Sequence, residues 1–464
     1  MRLKLFTVFT CLLLLVAFSI PLMQNANSTL LQQNAMLSPA NTYGSKTGSI
    51  EWQLTIKNTL ARGLAVTSNE SYIYVAGGNW TDPTNSSSWK PMLWKFETLG
   101  SQVWNTTLEV QGSTIAELFS VVLSPDESKV YAGGYVPNGT HWDIILVEFN
   151  ATNGEPGWNY TLSGPSYDYI GAIAVSPDGE QVYAAVQLSK YSGTSYNSSF
   201  YVFALNSSNG NEIWHYELYN TSHPYAYASG LTVSPIDEIV YVSGHYEKPG
   251  SSYLSLVALN ASNSNEIWNL TSTTYSSIYT IDISSDGKKL FGIALPPPNY
   301  QLLTINATDG SMLDNVSLSS VTSPYSFAIP PNETKVYTIA SYFEGKDLLV
   351  AEYNLTSGEM TGVISAPDSH TYSYDVVASG DNESVYVSGY HWSSNGGNVN
   401  AYMFLLKGEP KPIIPLQLWP LLLYMMYFQT STTSSLMNSY LLGIGIAVIL
   451  VVASLSIVII LKRR

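Results

Sequence analysis

Short stretches in which apolar residues alternate with small or polar ones recur through the middle of the chain. The first two read Tyr-Ile-Tyr-Val-Ala-Gly-Gly from Tyr72 and Val-Tyr-Ala-Gly-Gly from Val130. An alternation with a period of two is typical of a β-strand with one buried face. Because the copies recur about every 50 residues, they indicate a repeat architecture. The other copies begin at Val182, Val240, Leu290, Val336 and Val385.

A turn signal precedes most copies, and a second motif follows them. Ser-Pro-Asp from Ser124 and Ser-Pro-Asp-Gly from Ser176 favour tight turns, because Pro fixes φ while Asp and Gly accept turn geometry. The second motif is an Asn-x-Ser/Thr run that leads to a tryptophan. Each unit is therefore predicted to contain four short strands, a to d, as in a propeller blade. The runs lead from Asn150 to Trp158, from Asn206 to Trp214 and from Asn260 to Trp268, with weaker copies from Asn306 to Leu313 and from Asn354 to Met360.

The number of copies and the place of the last one predict how the array closes. Seven units can be counted, but the last ends after its third strand, at 401–406. Residues 50–54 resemble the fourth strand around Trp214. We therefore predict an all-β fold, a single seven-bladed β-propeller of four-stranded antiparallel blades. The N-terminal strand would close the last blade, which removes the exposed edges of an open array.

The repeats resemble two known families. The Val-Tyr-Val-x-Gly strands after Ser-Pro-Asp-Gly look like those of YVTN-type surface propellers. The Asn-x-Thr-x-Gly-x-x-x-Trp runs resemble the tryptophan-docking repeats of quinoprotein-like (PQQ-like) propellers, with Asn where that family usually has Asp. The resemblance covers 49–408 and implies a fold, because propellers host many functions. Quinoprotein dehydrogenases generally have eight blades and many have a vicinal disulfide, so we expect no cofactor here.

Both ends of the chain are hydrophobic, but they differ in kind. Residues 5–23 form an apolar run after a basic start, which is typical of a secretory signal cleaved near Ala26. An uncleaved anchor is the alternative. Residues 440–461 contain no charge and precede Lys-Arg-Arg, as expected of a membrane-spanning helix with a cytoplasmic tail. We therefore expect a cell-membrane protein with one C-terminal span and an extracellular propeller.

These boundaries divide the chain into six parts. They are a signal peptide at 1–26, an N-terminal extension at 27–48, the propeller at 49–408, a linker at 409–439 that contains an apolar juxtamembrane segment at 412–428, a transmembrane helix at 440–461 and a basic tail at 462–464.

The composition narrows the classes of partner. Charged residues are only 11% of the chain, against about 25% in ordinary soluble proteins, and the net charge is −15. An acidic surface excludes nucleic acid as the partner. The single cysteine, Cys11, lies in the signal, so the mature protein has no disulfide. Sparse charge suits an acidic exterior, where carboxylates become neutral.

Asparagine sequons are concentrated in the turns between strands c and d and after the tryptophans of strand d. In a propeller the a–b and c–d turns share one end, here called the bottom, while the d–a and b–c loops share the top. These sequons predict N-glycosylation in an exported protein. The alternative is that Asn, Ser and Thr are simply frequent turn residues. The candidates are Asn105, Asn150, Asn159, Asn206, Asn260, Asn269, Asn306 and Asn354.

The predicted top loops are strongly aromatic. Flat rings beside amide and hydroxyl groups suit a glycan or a protein surface. The alternative is that many of these tyrosines pack locally and hydrate their hydroxyls. The residues of the predicted partner face are Tyr167, Tyr169, His223, Tyr225, Tyr227, His245, Tyr372, His391 and Trp392.

The sequence contains no catalytic motif and no metal-ligand spacing. Asp282 and Asp375 stand out, because each lies on the small-residue side of a strand a, near the predicted channel. A buried carboxylate there could bind a cation or act as a base, whereas hydrogen bonds to neighbouring hydroxyls give the structural alternative. The leading hypothesis is a binding, adhesion or envelope scaffold module. The rivals are an extracellular hydrolase or oxidoreductase, and a membrane-complex subunit docked through 412–428.

Overall fold

A computed structural model describes most of the repeat region. The described residues are 49–81, 88–110, 115–139, 141–164, 168–192, 195–218, 225–248, 251–295, 300–318, 326–339, 348–365, 371–395, 398–409 and 411–412. All of them belong to one compact unit, Ser38–Arg464. The predicted signal peptide, N-terminal extension and transmembrane helix lie outside the described residues.

The described residues form β-strands that follow one another in groups of four. The first eight are β1 (Ser49–Lys57), β2 (Thr59–Val66), β3 (Tyr72–Trp80), β4 (Trp89–Glu97), β5 (Gln102–Thr107), β6 (Glu117–Leu123), β7 (Lys129–Asn138) and β8 (His141–Asn150). The next nine are β9 (Pro156–Leu162), β10 (Tyr169–Val175), β11 (Gln181–Ser192), β12 (Ser195–Asn206), β13 (Glu212–Leu218), β14 (Tyr225–Val233), β15 (Ile239–Lys248), β16 (Ser251–Asn260) and β17 (Glu266–Ser272). The last twelve are β18 (Ser277–Ile283), β19 (Lys289–Leu295), β20 (Gln301–Asn306), β21 (Met312–Ser317), β22 (Phe327–Ala328), β23 (Lys335–Thr338), β24 (Leu348–Asn354), β25 (Met360–Ser365), β26 (Thr371–Ala378), β27 (Val385–Asn395), β28 (Asn398–Glu409) and β29 (Lys411–Pro412).

The strands pair into antiparallel sheets, and the sheets are not all alike. Six have four strands: β2–β5, β6–β9, β10–β13, β14–β17, β18–β21, and β1 with β28, β27 and β26. The remaining sheet has five, in the order β22-β23-β24-β25-β29. The prediction of seven four-stranded blades is therefore wrong, since only six sheets of the described part have four strands. The cause is Lys411–Pro412, which pairs with Gly362 and Val363 of β25 and covers an edge that the prediction left open.

The predicted C-terminal transmembrane helix is not part of the observed fold. Across the described residues, no helix is long and apolar enough to cross a membrane. The stretch 440–461, on which that prediction was based, is not among them.

The N-terminal strand completes the last sheet, and this part of the prediction is confirmed. β1 pairs with β28 in antiparallel register, with Trp52 opposite Lys407 and Ile56 opposite Met403. The ladder contains a single irregularity, between Ile50 and Trp52. A strand from the start of the described chain therefore forms one sheet with strands from its end.

Neighbouring sheets are joined by docked tryptophans, as the repeat motif implied. The indole Nε1 of Trp214 on β13 donates to the carbonyl of Ala261, in the β16–β17 turn of the next sheet, at 2.8 Å. Trp158 donates to Ser207 at 2.9 Å in the same way, and its ring covers Gly210. At Gly210 φ is +72°, and an added Cβ would lie 2.4 Å from the ring. Glycine is therefore required there both by the backbone and by the packing.

The core lies between sheets. One cluster of buried side chains contains Tyr183 and Phe200 of the β10–β13 sheet together with Leu231 and Val257 of the β14–β17 sheet. Face-to-face packing of sheets places every first strand (β2, β6, β10, β14, β18, β22 and β26) towards the common centre, as in a propeller.

Most of these first strands contain a β-bulge. In β2 the register shifts between Ala61 and Gly63, so Arg62 is the extra residue. A bulge interrupts the alternation of the strand and turns a side chain to a new direction. The equivalent extra residues are Phe119 in β6, Gly171 in β10, Ser229 in β14, Tyr279 and Thr280 in β18, and Tyr374 in β26.

Candidate functional site

The bulged residues line a cavity of about 520 Å³ at the centre of the propeller. First strands of six sheets contribute to it, together with Ser326, which directly precedes β22. Tyr169, the first residue of β10, marks the end at which the d–a loops lie, so the cavity belongs to the top of the propeller. Its volume is in the range of small-molecule sites, about 300–1,000 Å³.

Arg62 is the positive charge of this cavity. Its Nε donates to Oε2 of the buried Glu117 at 2.9 Å. The guanidinium carbon lies 4.1 Å from the ring centre of Tyr374, 5.2 Å from that of Phe119 and 5.4 Å from that of Tyr390. Although burial alone would lower it, the neighbouring carboxylate of Glu117 raises the pKa of Arg62 further. The side chain is therefore a fixed cation held against aromatic faces.

Tyrosines supply the flat surfaces of the cavity. Tyr169 is 41% exposed and Tyr279 is 39% exposed, although both are large aromatic residues. Tyr227 stacks on His245, with ring centres 4.6 Å apart and an angle of 17° between the planes. Exposed tyrosine faces around a cleft are suited to stacking against a ligand.

His245 brings an unsatisfied polar atom to the cavity lining. Its Nδ1 is buried and has no hydrogen-bond partner within the described residues. Burial lowers the pKa of His245 to about 4, so the ring is neutral at pH 7. A buried polar atom without a partner costs free energy, and a ligand hydroxyl group in the cavity would offer it one.

Asp375 lines the cavity but serves the fold. Its Oδ2 accepts the backbone N–H of Leu64 at 2.9 Å, and its Oδ1 accepts the hydroxyl of Ser326 at 2.8 Å and the N–H of Val376 at 3.0 Å. Burial raises its pKa to about 6, although these hydrogen bonds oppose the shift. Because both oxygens are engaged with neighbouring strands, the geometry favours the structural alternative over a catalytic base.

Asp282 lies deeper along the channel than Asp375. Asp282 pairs with Phe291, whose equivalent in the last sheet is Tyr386. Asp375 pairs with Ser388, which is two residues closer to the top than Tyr386. Asp282 is absent from the cavity lining, and its Oδ1 accepts the N–H of the adjacent Ile283 at 2.7 Å. Burial raises its pKa to about 6. The two aspartates, paired by sequence reasoning, therefore do not form one site.

Only some residues of the predicted partner face lie together in the cavity. Tyr169, Tyr227 and His245 line the cavity. Tyr372 is 42% exposed and lies outside the lining, with its ring centre 5.4 Å from that of Tyr390. The backbone of Tyr225 lies in β14, His391 and Trp392 lie in β27, and Tyr167 and His223 lie outside the described residues.

Sequence reasoning missed Arg62, which the bulge of β2 turns into the cavity. Phe119, the bulged residue of β6, was missed for the same reason, and Gln187 of β11 was missed although it lies in regular register. The available signal was a basic residue inside a first strand whose neighbours are small or apolar.

The sequon asparagines fall into two structural groups. Those in c–d turns accept backbone hydrogen bonds from the residue two positions on, as Asn150 does from Thr152 at 2.8 Å and Asn306 from Thr308 at 2.9 Å. Asn206, Asn260 and Asn354 do the same. These bonds agree with the turn-forming alternative. Asn105, Asn159 and Asn269 instead lie exposed on the outer strands β5, β9 and β17.

Within the described ranges, no group of three or more His, Cys, Asp or Glu residues is placed to hold a metal ion. The cavity lining combines aromatic faces and hydroxyls with the guanidinium of Arg62, the imidazole of His245 and the carboxylate of Asp375.

Solved structures share the propeller fold at low sequence identity. A chain of a mitotic checkpoint complex matches with a TM-score of 0.52 and 12% identity over 83% of this chain and 99% of its own. Raptor from Chaetomium thermophilum matches with a TM-score of 0.52 and 7% identity over 77% of this chain and 29% of its own. Hydrazine synthase from Kuenenia stuttgartiensis reaches 0.49, with 11% identity over 74% and 94%. At these identities the likeness concerns the fold alone.

Sequence comparison points to a family. The chain matches none of the curated proteins. The YVTN resemblance is not supported by a match, whereas the PQQ-like resemblance is confirmed. Residues 40–313 match the PQQ-like repeat family, and this match spans more than half of the chain. The protein therefore belongs to the PQQ-like repeat family described as outer membrane protein assembly factor BamB.

Proposed function

We propose that this protein is a binding module that takes up the end of a glycan in the cavity at the top of its propeller. The observation that carries the proposal is the convergence of aromatic and polar side chains from six sheets on one cavity of about 520 Å³. The blades act as a rigid scaffold, so the site is preformed.

The lining favours a sugar over an apolar ligand. Tyr169, Tyr227 and Tyr279 offer ring faces, while Gln187 and Thr280 offer hydrogen-bonding groups between them. Sugar rings have apolar faces and polar edges, and such a surface matches both. The unsatisfied Nδ1 of the lining residue His245 adds a hydrogen-bonding position.

We further propose that the protein lies at a membrane surface with the cavity facing away from that membrane. β28 ends at Glu409, opposite Ser49, and the chain then pairs with Gly362 and Val363 in the middle of β25. Glu409 lies beside the a–b and c–d turns, at the end opposite Tyr169. A chain that leaves from the bottom supports an outward-facing top. Exposed Asn105, Asn159 and Asn269 on the outer strands are the proposed glycan carriers of this surface.

A glycan array probed with the purified full chain tests the binding function, with calorimetry on the best ligand. Tyr279→Ala should weaken binding about tenfold, as expected for a lost ring contact of about 1.4 kcal/mol. Tyr372→Ala is the matched control, because Tyr372 is equally exposed but does not line the cavity. An array without signal, or equal losses in both variants, would refute the cavity as the binding site.

The family match favours a second candidate function, that of a subunit in a membrane protein complex. The family is described as an outer membrane protein assembly factor. We propose the apolar segment 412–428 as the docking element, since β29 ends where that segment begins. Co-purification after mild detergent extraction tests this role. The full chain should co-purify with partner proteins, and a variant that lacks 412–428 should not. Purification of the full chain without any partner would contradict this role.

A further inference from the structure

We infer that the sugar held in the cavity is acidic and that Arg62 binds its carboxylate. This inference rests on the proposed glycan-binding function and specifies its ligand class. The starting observation is that Arg62 lines the cavity although its side chain is mostly buried.

The donors of Arg62 are only partly used by the protein. A guanidinium has five N–H groups, and Nε–H is the one that donates to Glu117. In the part of the chain that the structure describes, neither Nη atom donates to a protein acceptor. Two parallel N–H groups on one planar edge match the two oxygens of a carboxylate.

The aromatic neighbours fix the orientation of that edge. The guanidinium is in contact with the rings of Tyr374, Phe119 and Tyr390, and the bond to Glu117 removes the remaining rotation. A preorganised group loses little conformational freedom when it binds, so more of the interaction appears as affinity. A side chain placed only to neutralise Glu117 would not need to line the cavity.

The other carboxylates near the site do not occupy the free edge. Glu117 takes Nε, and both oxygens of Asp375 already accept bonds from Leu64, Ser326 and Val376. The net charge of −15 opposes the approach of an anion at long range, but this effect is screened beyond about 8 Å at physiological ionic strength. Recognition therefore depends on the short-range, two-pronged hydrogen bond.

The test compares the binding of three matched sugars to the wild-type full chain at about 150 mM salt, a physiological ionic strength. The sugars are a glucuronyl-terminated disaccharide, its methyl ester and the corresponding glucosyl disaccharide. We expect the acid to bind about tenfold or more tightly than the ester and the neutral sugar. Equal affinity for the three would overturn the inference and leave the glycan-binding function intact. A lack of binding by any sugar would overturn both.

Variants of the cavity separate the carboxylate contact from general sugar binding. Arg62→Lys keeps the charge but loses the planar fork, so the preference of the folded variant for the acid over its ester should fall from about tenfold to about twofold or less. Tyr279→Ala should weaken all three sugars. Thermal unfolding verifies that each variant is folded. If Arg62→Lys does not fold, the comparison of the acid with its ester on the wild-type chain still tests the inference. An unchanged acid preference in folded Arg62→Lys would overturn the assignment.

Discussion

The carboxylate of Glu70 accepts a hydrogen bond of 2.8 Å from the hydroxyl of Tyr386, 316 residues further along the chain. The same carboxylate accepts the hydroxyl of Ser379 at 2.8 Å and the N–H of Gly380 at 2.7 Å. Partial burial by itself would raise the pKa of Glu70, but these hydrogen bonds outweigh it and lower the pKa. Glu70 lies in the β2–β3 turn and Tyr386 in β27, so this contact joins the first and last sheets independently of the β1–β28 ladder.

Glu70→Ala should lower the free energy of unfolding by about 2 kcal/mol, because a charged acceptor and several donors lose their partners. The Glu70→Ala, Tyr386→Phe double-mutant cycle, measured by denaturant unfolding, should give a coupling energy of about 1 kcal/mol or more. Glu97→Ala is the control, since Glu97 is exposed at the end of β4 and should change stability by less than about 0.5 kcal/mol. Strictly additive effects of the two substitutions on stability would refute the claim that the contact between Glu70 and Tyr386 joins the first and last sheets.

Local patterns predicted the strands well, because each strand has its own alternation and its own turn. The pairing of β1 with the last sheet could be predicted, because the residues around Trp52 resemble those around Trp214 in a fourth strand. The fifth strand of one sheet could not. Lys411–Pro412 has only two residues, too short for a periodic signal, and Pro lacks the N–H of a ladder donor.

The cavity was predicted only in part for a different reason. Alternation assigns side chains to two faces, but a bulge adds one residue and shifts the assignment. Arg62 and Phe119 are such extra residues, so no regular pattern placed them at the centre. Tyr169 lies outside the bulge of β10, and His245 lies on β15, which has no bulge, so the place of both at the top could be predicted.

Two tyrosines at equivalent positions of strand b provide a test of the docking bonds. The hydroxyl of Tyr241 donates to the carbonyl of Ala307 at 3.1 Å, whereas the buried hydroxyl of Tyr183 has no partner within the described residues. Tyr241→Phe should lower the free energy of unfolding by about 1 kcal/mol. Tyr183→Phe should be neutral or stabilising, because it removes an unsatisfied polar group. Thermal unfolding of both variants measures the difference, and equal losses would contradict this account.

Gly210 and Gly139 separate packing from backbone strain. Both have positive φ, +72° and +63°, but a Cβ at Gly210 would meet the ring of Trp158, while at Gly139 nothing lies within 4 Å. Gly139→Ala should cost about 1 kcal/mol from the left-handed backbone alone. Gly210→Ala should cost about 3 kcal/mol or more, since the docked ring must shift as well. Denaturant unfolding of the pair is the measurement, and similar costs would mean that the ring contact does not matter.

The buried aspartates determine how stability responds to acid. Burial raises the pKa of Asp282 to about 6, so its carboxyl group stabilises the folded state when protonated, and this contribution is lost as the pH rises through 6. Asp282→Asn should therefore be more stable than wild type at pH 7, by up to about 3 kcal/mol, and equal to it near pH 4.

The turn residue Asp286 has a pKa shift of the opposite sign, so it serves as the matched control. Hydrogen bonds from Ser284 and Lys288 lower the pKa of Asp286 to about 2, so its contribution is present at neutral pH and is lost as the pH falls through about 4 towards 2. Asp286→Asn should be less stable than wild type at pH 7, with the difference vanishing near pH 2. Together these two groups predict a maximum of wild-type stability near about pH 4. Thermal unfolding between pH 2 and pH 8 measures the profile, and an unfolding temperature that falls steadily from pH 6 to pH 3 would contradict both the profile and an acidic habitat.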